Sequence, residues 1–278
     1  MLEDTSTTKA SATGPIVDVR NLVKTFEELT AVDDISFTVE RGTIFAFLGP
    51  NGAGKTTSIK MLTTLLHPTS GTMLLNGHNP VTDQAAARRS FGIVFQDPSL
   101  DDELTAEENM ELHGVLYGVP KALRHERMNH LLNVVELADR KDDLVKHFSG
   151  GMKRRLEIAR SLLHHPAILF LDEPTVGLDP QTRNRMWEHI QELNRTEGIT
   201  VFFTTHYMEE ADKVARRIAV IDHGKIIAEG TSQELQERTT AKSLEEAFLA
   251  LTGTVIRDEE AGAIDHLRQA RKMFTKRR

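Results

Sequence analysis

The sequence contains no cysteine, which excludes disulfide bonds and thiolate metal ligands and fits a reducing compartment. It also lacks a long hydrophobic run. The most apolar segments are Ile44–Leu48, Ile168–Leu171 and Val201–Phe203, which are far shorter than the roughly 20 residues of a membrane-spanning helix and are predicted to be buried strands. The polar N-terminus has no apolar core, so no signal peptide is expected. Any role at a membrane would therefore require docking onto another chain.

An excess of positive charge is absent as well. The 34 Lys and Arg residues against 41 Asp and Glu residues give a formal net charge of −7. This balance disfavours broad electrostatic adhesion to nucleic acid, so we expect no nucleic-acid partner. The hydrophobic fraction of 39% and the charged fraction of 27% are those of an ordinary globular protein, and 278 residues suffice for one large domain or two modest ones.

The pattern along the chain predicts the α/β class and four parts. Residues 1–14 are rich in Ser, Thr and Ala and are predicted to form a disordered tail. Residues 15–96 and 166–230 alternate short apolar strands with helices, which is typical of an α/β core. Residues 97–165 carry apolar side chains at helical spacing and are predicted to be an inserted helical subdomain. Residues 231–278 are predicted to be a C-terminal helical extension.

A glycine-rich segment between a predicted strand and a predicted helix fits the phosphate-binding loop G-x-x-x-x-G-K-[ST] at every fixed position. Glycines allow backbone amides to approach phosphate oxygens. The lysine supplies a charge for the β- and γ-phosphates, and the following threonine supplies a hydroxyl for Mg²⁺. The predicted nucleotide-binding residues of this segment are Gly49, Pro50, Asn51, Gly52, Ala53, Gly54, Lys55, Thr56 and Thr57.

Two adjacent carboxylates, Asp172 and Glu173, end the apolar strand predicted over Ala167–Leu171. Ligands of open α/β sheets bind at the carboxyl ends of the strands. We expect Asp172 to hold Mg²⁺ and Glu173 to polarise the attacking water as a general base. An acidic pair alone is more often a helix cap or a turn, but the phosphate loop upstream favours the catalytic interpretation.

The segment Ser149-Gly150-Gly151-Met152-Lys153 resembles the signature motif of ABC-type ATPases. The resemblance implies a P-loop NTPase of ABC type, with a mixed sheet core, an antiparallel β subdomain and an inserted helical subdomain. In that family, Ser149, Gly150 and Gly151 would bind the γ-phosphate of ATP held by a partner subunit. Phe148 and Met152 depart from the commonest form, which has leucine and glutamine there. Because the Ser-Gly-Gly core is intact, activity is expected.

Four further residues match motifs of the same family, and the resemblance covers about residues 16–230. Gln96 matches the glutamine that contacts Mg²⁺ or the lytic water. Asp179 matches the aspartate that crosses the dimer interface, and His206 matches the histidine that contacts the γ-phosphate. Phe26 matches the aromatic residue that stacks on adenine, although core packing is an alternative role for a phenylalanine. The expected catalytic residues are therefore Lys55, Gln96, Glu173 and His206, and the expected metal ligands are Thr56, Gln96 and Asp172.

The resemblance also implies partners. One phosphate loop and one signature motif are present, so the working unit is expected to be a head-to-tail dimer with a second copy or a paralogue. ATP and Mg²⁺ are the implied cofactors. A separate transmembrane permease is the implied membrane partner, which places the chain peripherally on the cytoplasmic face of the cell membrane. The acidic segment Asp97–Asn109 is expected to border the docking groove for that permease.

Within the family, three strings resemble the daunorubicin-resistance branch of exporter ATPases: GIVFQDPSLDDELTAEENM, FSGGMKRRLEIARSLLHHP and SLEEAFLALTG. They imply export of a drug or an amphiphilic molecule. A soluble single-cassette ABC ATPase, for example of the iron–sulfur assembly type, is the alternative that the sequence leaves open.

Overall fold

A computed structural model of the protein describes residues 14–253. The predicted tail, apart from Gly14, and the C-terminal part after Gly253 lie outside the described residues. The strands are β1 (Val17–Phe26), β2 (Leu29–Val39), β3 (Ile44–Leu48), β4 (Ser70–Leu75), β5 (Phe91–Val94), β6 (Ile168–Asp172), β7 (Thr200–Thr205), β8 (Arg217–Asp222) and β9 (Lys225–Gly230). The helices are α1 (Lys55–Leu62), α2 (Gln84–Ser90), α3 (Ala106–Leu116), α4 (Lys121–Val134), α5 (Gly150–Ser161), α6 (Pro180–Glu197), α7 (Met208–Val214), α8 (Ser232–Thr239) and α9 (Leu244–Thr252). None of these helices is long and apolar enough to cross a membrane.

Two sheets form the body of the molecule. The larger sheet has the order β5-β6-β7-β3-β8-β9, in which the first five strands are parallel and β9 pairs antiparallel with β8. The smaller sheet has the order β2-β1-β4 and is antiparallel throughout. The predicted mixed sheet core with an antiparallel β subdomain is therefore confirmed.

Strand β3 separates two hydrophobic cores, because its side chains alternate between the two faces of the sheet. Phe45 and Phe47 belong to the core shared with the antiparallel sheet, where they pack around Phe37 and Phe202 with ring centroids 5.5 to 5.9 Å apart. Ala46 and its neighbours of the same face belong to the core shared with the helices. Burial on both faces explains the continuous apolar sequence of this strand.

Residues 97–165 contain α3, α4 and α5, as the helical spacing predicts. The ends of these helices have identifiable causes. Helix α3 begins only at Ala106, because Thr105 and Glu108 form a capping box. Helix α4 ends at Val134, and Glu136 just beyond it adopts the left-handed conformation with φ 54°.

The sequence analysis missed strand β9. The β8–β9 hairpin turns through His223 and Gly224, which have φ values of 46° and 76°. Positive φ at both central residues is the geometry of a type I′ hairpin, for which Asn-Gly and Asp-Gly are the usual signals. His-Gly is a weaker signal, and the strand went unpredicted. The predicted C-terminal helices are present as α8 and α9 within the described residues.

Candidate functional site

Three neighbouring parallel strands end at one edge of the large sheet, and each is followed by predicted site residues. β3 leads into the glycine-rich loop, β6 ends at Asp172, and β7 ends one residue before His206. Because β6, β7 and β3 are adjacent and parallel, their carboxyl ends bring these distant segments together.

The glycine-rich loop needs glycine at specific positions. Gly54 has φ 102°, and a Cβ there would lie 2.5 Å from the Ala31 carbonyl oxygen. A Cβ on Gly49 would lie 2.3 Å from the Ile221 carbonyl oxygen. Gly54 is also the N-cap of α1 and offers no capping side chain. The first amides of α1 are therefore free of a side-chain cap and suit an anion such as a phosphate.

Lys55 lies buried beneath this loop, with 4% of its surface exposed. Its Nζ atom donates to the Gly49 carbonyl at 2.8 Å and to the Pro50 carbonyl at 3.0 Å. The same atom lies 3.0 Å from Glu173 Oε1. The Lys55 ammonium group thus contacts both the backbone carbonyls of the phosphate loop and the carboxylate that follows β6.

A hydroxyl–carboxylate cluster lies beside the lysine. The Thr56 hydroxyl donates to Asp172 Oδ1 at 3.2 Å, and the Thr204 hydroxyl donates to the same oxygen at 2.6 Å. Among residues 14–253, no group of three or more His, Cys, Asp or Glu side chains could hold a metal. A threonine hydroxyl beside one carboxylate suits Mg²⁺, which takes one or two protein oxygens and completes its shell with water and substrate phosphates.

Glu173 is held in the charged form. It adopts φ 47°, an uncommon conformation for a non-glycine residue, and its backbone amide donates to Thr204 Oγ1 at 2.9 Å. Burial raises the pKa of Glu173, but the hydrogen bond from His206 (Nδ1 to Oε2, 3.1 Å) and the charge of Lys55 together lower this pKa to about 2. Glu173 is therefore a carboxylate at neutral pH.

These groups line one cavity of about 570 Å³, a size typical of a ligand site. Phe26 lies at its rim with 43% of its surface exposed, which rules out the alternative role in core packing. The predicted residues that line it are Phe26, Asn51, Gly52, Gly54, Lys55, Thr56, Thr57, Gln96, Glu173 and His206. Gly49, Pro50 and Asp172 contact lining residues directly, and Ala53 is buried within the loop.

The signature residues and Asp179 do not line this cavity. Ser149 caps α5 by accepting from the Met152 amide, and Asp179 caps α6 by accepting from Gln181 and Thr182. The two helix starts lie together, because a Cβ on Gly151 would lie 2.5 Å from the Thr182 side chain. Ser149, Gly150, Gly151 and Asp179 thus form a second group, apart from Lys55 and Glu173.

The sequence analysis missed Glu210, a buried carboxylate next to the site. Its oxygens accept from the Thr175 hydroxyl at 2.5 Å and the Thr205 hydroxyl at 3.0 Å, and Arg183 Nε lies 3.4 Å away. Arg183 also stacks over the Tyr207 ring, and Tyr207 lines the cavity. The available signal was weak: Glu210 lies on the same buried face of α7 as Ala211 and Val214.

Comparison with known proteins identifies the family of the chain. A family model described as "ABC transporter" matches residues 32–176. The daunorubicin/doxorubicin resistance ATP-binding protein DrrA of Streptomyces peucetius is 46% identical over 220 residues, which are 79% of this chain and 66% of that protein. The Nod factor export ATP-binding protein I of Ralstonia nicotianae is 44% identical over 80% of this chain and 68% of its own length. The linearmycin resistance ATP-binding protein LnrL of Bacillus subtilis is 40% identical over 84% and 78%. The chain thus spans about two thirds of the length of the first two relatives.

Solved structures agree with this. An ATP-binding subunit of an ABC transporter superposes with a TM-score of 0.78 at 30% identity, covering 86% of this chain and all of the other. The cbiO1 protein of Clostridium perfringens superposes with a TM-score of 0.76 at 26% identity, covering 92% and 99%. The chain therefore belongs to the ABC transporter family as one of its ATP-binding ATPases.

Proposed function

We propose that this chain powers a separate membrane permease by hydrolysing ATP, and that the permease exports a drug or another amphiphilic molecule. The observation that carries the proposal is the convergence of Lys55, Asp172, Glu173 and His206 at one cavity. The cargo class follows from the relatives, whose names assign them to resistance against daunorubicin, doxorubicin and linearmycin and to Nod factor export.

Nucleotide binding is assigned to the phosphate loop and Phe26. The amides of the loop and of the start of α1 bind phosphate oxygens, Lys55 supplies the positive charge, and the exposed Phe26 ring stacks on adenine. Thr56 and Asp172 would hold Mg²⁺, with Gln96 as a further oxygen ligand at the cavity wall. A metal ion held there would neutralise charge on the β- and γ-phosphates.

Hydrolysis is assigned to Glu173 and His206. Glu173 accepts the proton of a water molecule whose oxygen forms a bond to the γ-phosphorus as the bond to the β-phosphate oxygen breaks. His206 holds the carboxylate in place through Nδ1 and faces the same cavity, where its ring reaches the γ-phosphate. Thr204 fixes the backbone of Glu173 and contacts Asp172, so base and metal ligand are oriented by one hydroxyl.

The working unit is a head-to-tail dimer with a second copy or a paralogue. Ser149, Gly150 and Gly151 lie outside the chain's own cavity, at the start of α5, where they can bind a phosphate held by the partner. Asp179 lies beside them through Thr182 and reaches across the same interface.

The permease docks on the inserted helical subdomain, residues 97–165. Helix α3 exposes Leu112, Val115 and Leu116 by 51%, 55% and 75%, and Leu123 in the first turn of α4 is 46% exposed. A contiguous group of large apolar side chains on a surface marks an interaction site.

We also propose the four-part division of the chain given above and a peripheral location at the cytoplasmic face of the membrane. The alternative of a soluble assembly ATPase is not favoured, because the relatives are named as export and resistance ATP-binding proteins.

A pull-down in mild detergent tests the permease assignment. Tagged Glu173→Gln chain is purified with ATP from cells of its source, and the matched control carries the additional substitution Leu116→Glu on the exposed face. We expect a polytopic membrane protein to co-purify stoichiometrically with the first variant and to be lost from the control. Recovery of soluble assembly factors alone would reject the permease while leaving the ATPase intact.

A further inference from the structure

Helix α5 forms hydrogen bonds to the backbone of the segment that contains Gln96. Arg154 donates through Nη1 to the carbonyl oxygen of Phe95 and through Nη2 to the carbonyl oxygen of Gln96, the latter at 2.8 Å. Only 7% of the Arg154 surface is exposed. A planar guanidinium that donates to two successive carbonyls fixes the two peptide planes on either side of the Gln96 Cα, which sets the direction in which the Gln96 side chain leaves the backbone.

Two more charged residues of α5 hold the same segment. Glu157, 2% exposed, accepts from the Ser99 amide at 2.6 Å and from the Ser99 hydroxyl at 3.1 Å, and its second oxygen lies 3.1 Å from Arg154. Arg160 donates to the Ser99 carbonyl at 2.9 Å. The spacing of three places Arg154, Glu157 and Arg160 along one face of the helix, so three charged side chains of one face contact the same segment.

The same helix begins at the signature motif. Ser149 caps α5, and Arg154 follows five residues later, about 7.5 Å along the helix axis. Gln96 in turn lines the cavity that contains Lys55 and Glu173. A single rigid element thus connects the signature residues to the wall of this chain's own cavity.

We propose that Arg154, held in place by Glu157, is a positioning residue for Gln96 and couples the signature end of α5 to the phosphate cavity of the same chain. When Ser149 engages a phosphate of a second copy, the resulting shift of α5 is passed through the guanidinium to the Gln96 backbone. This inference rests on the proposed function, since it assumes that Gln96 takes part in hydrolysis.

Substitution of Arg154 by lysine tests the coupling. Lysine keeps the charge but lacks the planar fork, so it cannot hold both carbonyls in the same geometry. We expect kcat for ATP in the full chain with Mg²⁺ to fall about tenfold, equivalent to about 1.4 kcal/mol, with KM changed less than about twofold. The matched control is Arg155→Lys on the same helix, whose guanidinium donates to the Val135 carbonyl at 2.8 Å, and it should leave kcat within about twofold. Glu157→Gln, which removes the charge that holds Arg154, should lower kcat in the same way as Arg154→Lys.

A double-mutant cycle separates positioning from a general structural effect. If Arg154 acts through Gln96, the variant with both Arg154→Lys and Gln96→Ala should be no slower than Gln96→Ala alone. If the two losses multiply, or if Arg155→Lys slows the enzyme as much as Arg154→Lys, the inference is overturned. Absence of Mg²⁺-dependent hydrolysis in the unaltered chain would instead reject the proposed function itself.

Discussion

Glu173 illustrates how much of the site depends on single side chains. Its carboxylate contacts Lys55 on one side and His206 on the other, and both contacts favour the charged form. We expect Glu173→Gln to lower kcat by about 10²- to 10⁴-fold, because a neutral amide cannot accept the proton. Steady-state hydrolysis and equilibrium nucleotide binding should separate the two effects, with binding retained. Wild-type turnover in this variant would show that another group is the base.

A second prediction at the residue scale concerns stability. Glu210 is 4% exposed, accepts from the Thr175 and Thr205 hydroxyls and forms an ion pair with Arg183 at 3.4 Å. Glu210→Ala leaves two buried hydroxyl donors without their acceptor and a guanidinium without its ion-pair partner, so we expect the free energy of unfolding to fall by about 3–5 kcal/mol. Urea denaturation measures this. The neighbouring Glu209 is exposed, and Glu209→Ala should change stability by less than about 0.5 kcal/mol; equal effects at the two positions would contradict the assignment.

At the scale of elements, a ring stack joins α3 to the loop after α5. The Tyr117 ring lies 4.6 Å from that of His113 and 3.9 Å from that of His164, centroid to centroid. Within residues 14–253, His113 Nε2 and His164 Nδ1 have no hydrogen-bond partner. Burial, followed by the charge of Arg160, lowers the pKa of His113 to about 3, and burial lowers that of His164 to about 4.

This stack predicts a pH dependence. The unfolded chain binds protons as the pH falls through the ordinary histidine pKa of 6.5, whereas the folded chain binds them only near pH 4 and below. Stability is therefore fully present above pH 6.5 and lost as the pH falls toward 4. We expect His164→Gln to reduce the loss between pH 7 and pH 5 by about 1–2 kcal/mol, as measured by urea unfolding at each pH. The exposed His147→Gln is the control, and an unchanged pH profile in His164→Gln would refute the prediction.

The strands and helices also show which structural features could be predicted from the sequence and which could not. Strands β3, β6 and β7 were predictable because each contains an apolar run that is buried on both faces of the sheet. The phosphate loop follows β3 in the sequence, and the acidic pair lies at the end of β6. The position of the candidate site at the carboxyl ends of these strands was therefore predictable too. Strand β9 was not, because its turn uses His223 in a conformation that this residue rarely adopts. The hydrogen bonds of Glu210 could not be predicted, because the sequence alone does not show whether a carboxylate on a helix is buried or exposed.

At the scale of the molecule, the site residues fall into two groups that one chain does not join. We expect the Glu173→Gln variant with ATP and Mg²⁺ to double in mass at micromolar concentration, measured by light scattering after size-exclusion chromatography. The matched control adds Gly150→Glu, because a Cβ at Gly150 has no neighbour within 4 Å while a carboxylate there would repel a phosphate. The control should stay monomeric; a monomer in both cases would reject the dimer.

The ion pair between Lys55 and Glu173 makes nucleotide binding an exchange of anions. A phosphate oxygen that reaches the Lys55 ammonium competes with a carboxylate that already lies 3.0 Å from it. The carboxylate gains freedom to accept a proton only as the phosphate takes its place. In the proposed mechanism, competition for one cation therefore sets the order of events, with binding first and water activation second. On the same proposal, neutralising Glu173 removes the competitor as well as the base, so the change that stops turnover should also strengthen nucleotide binding.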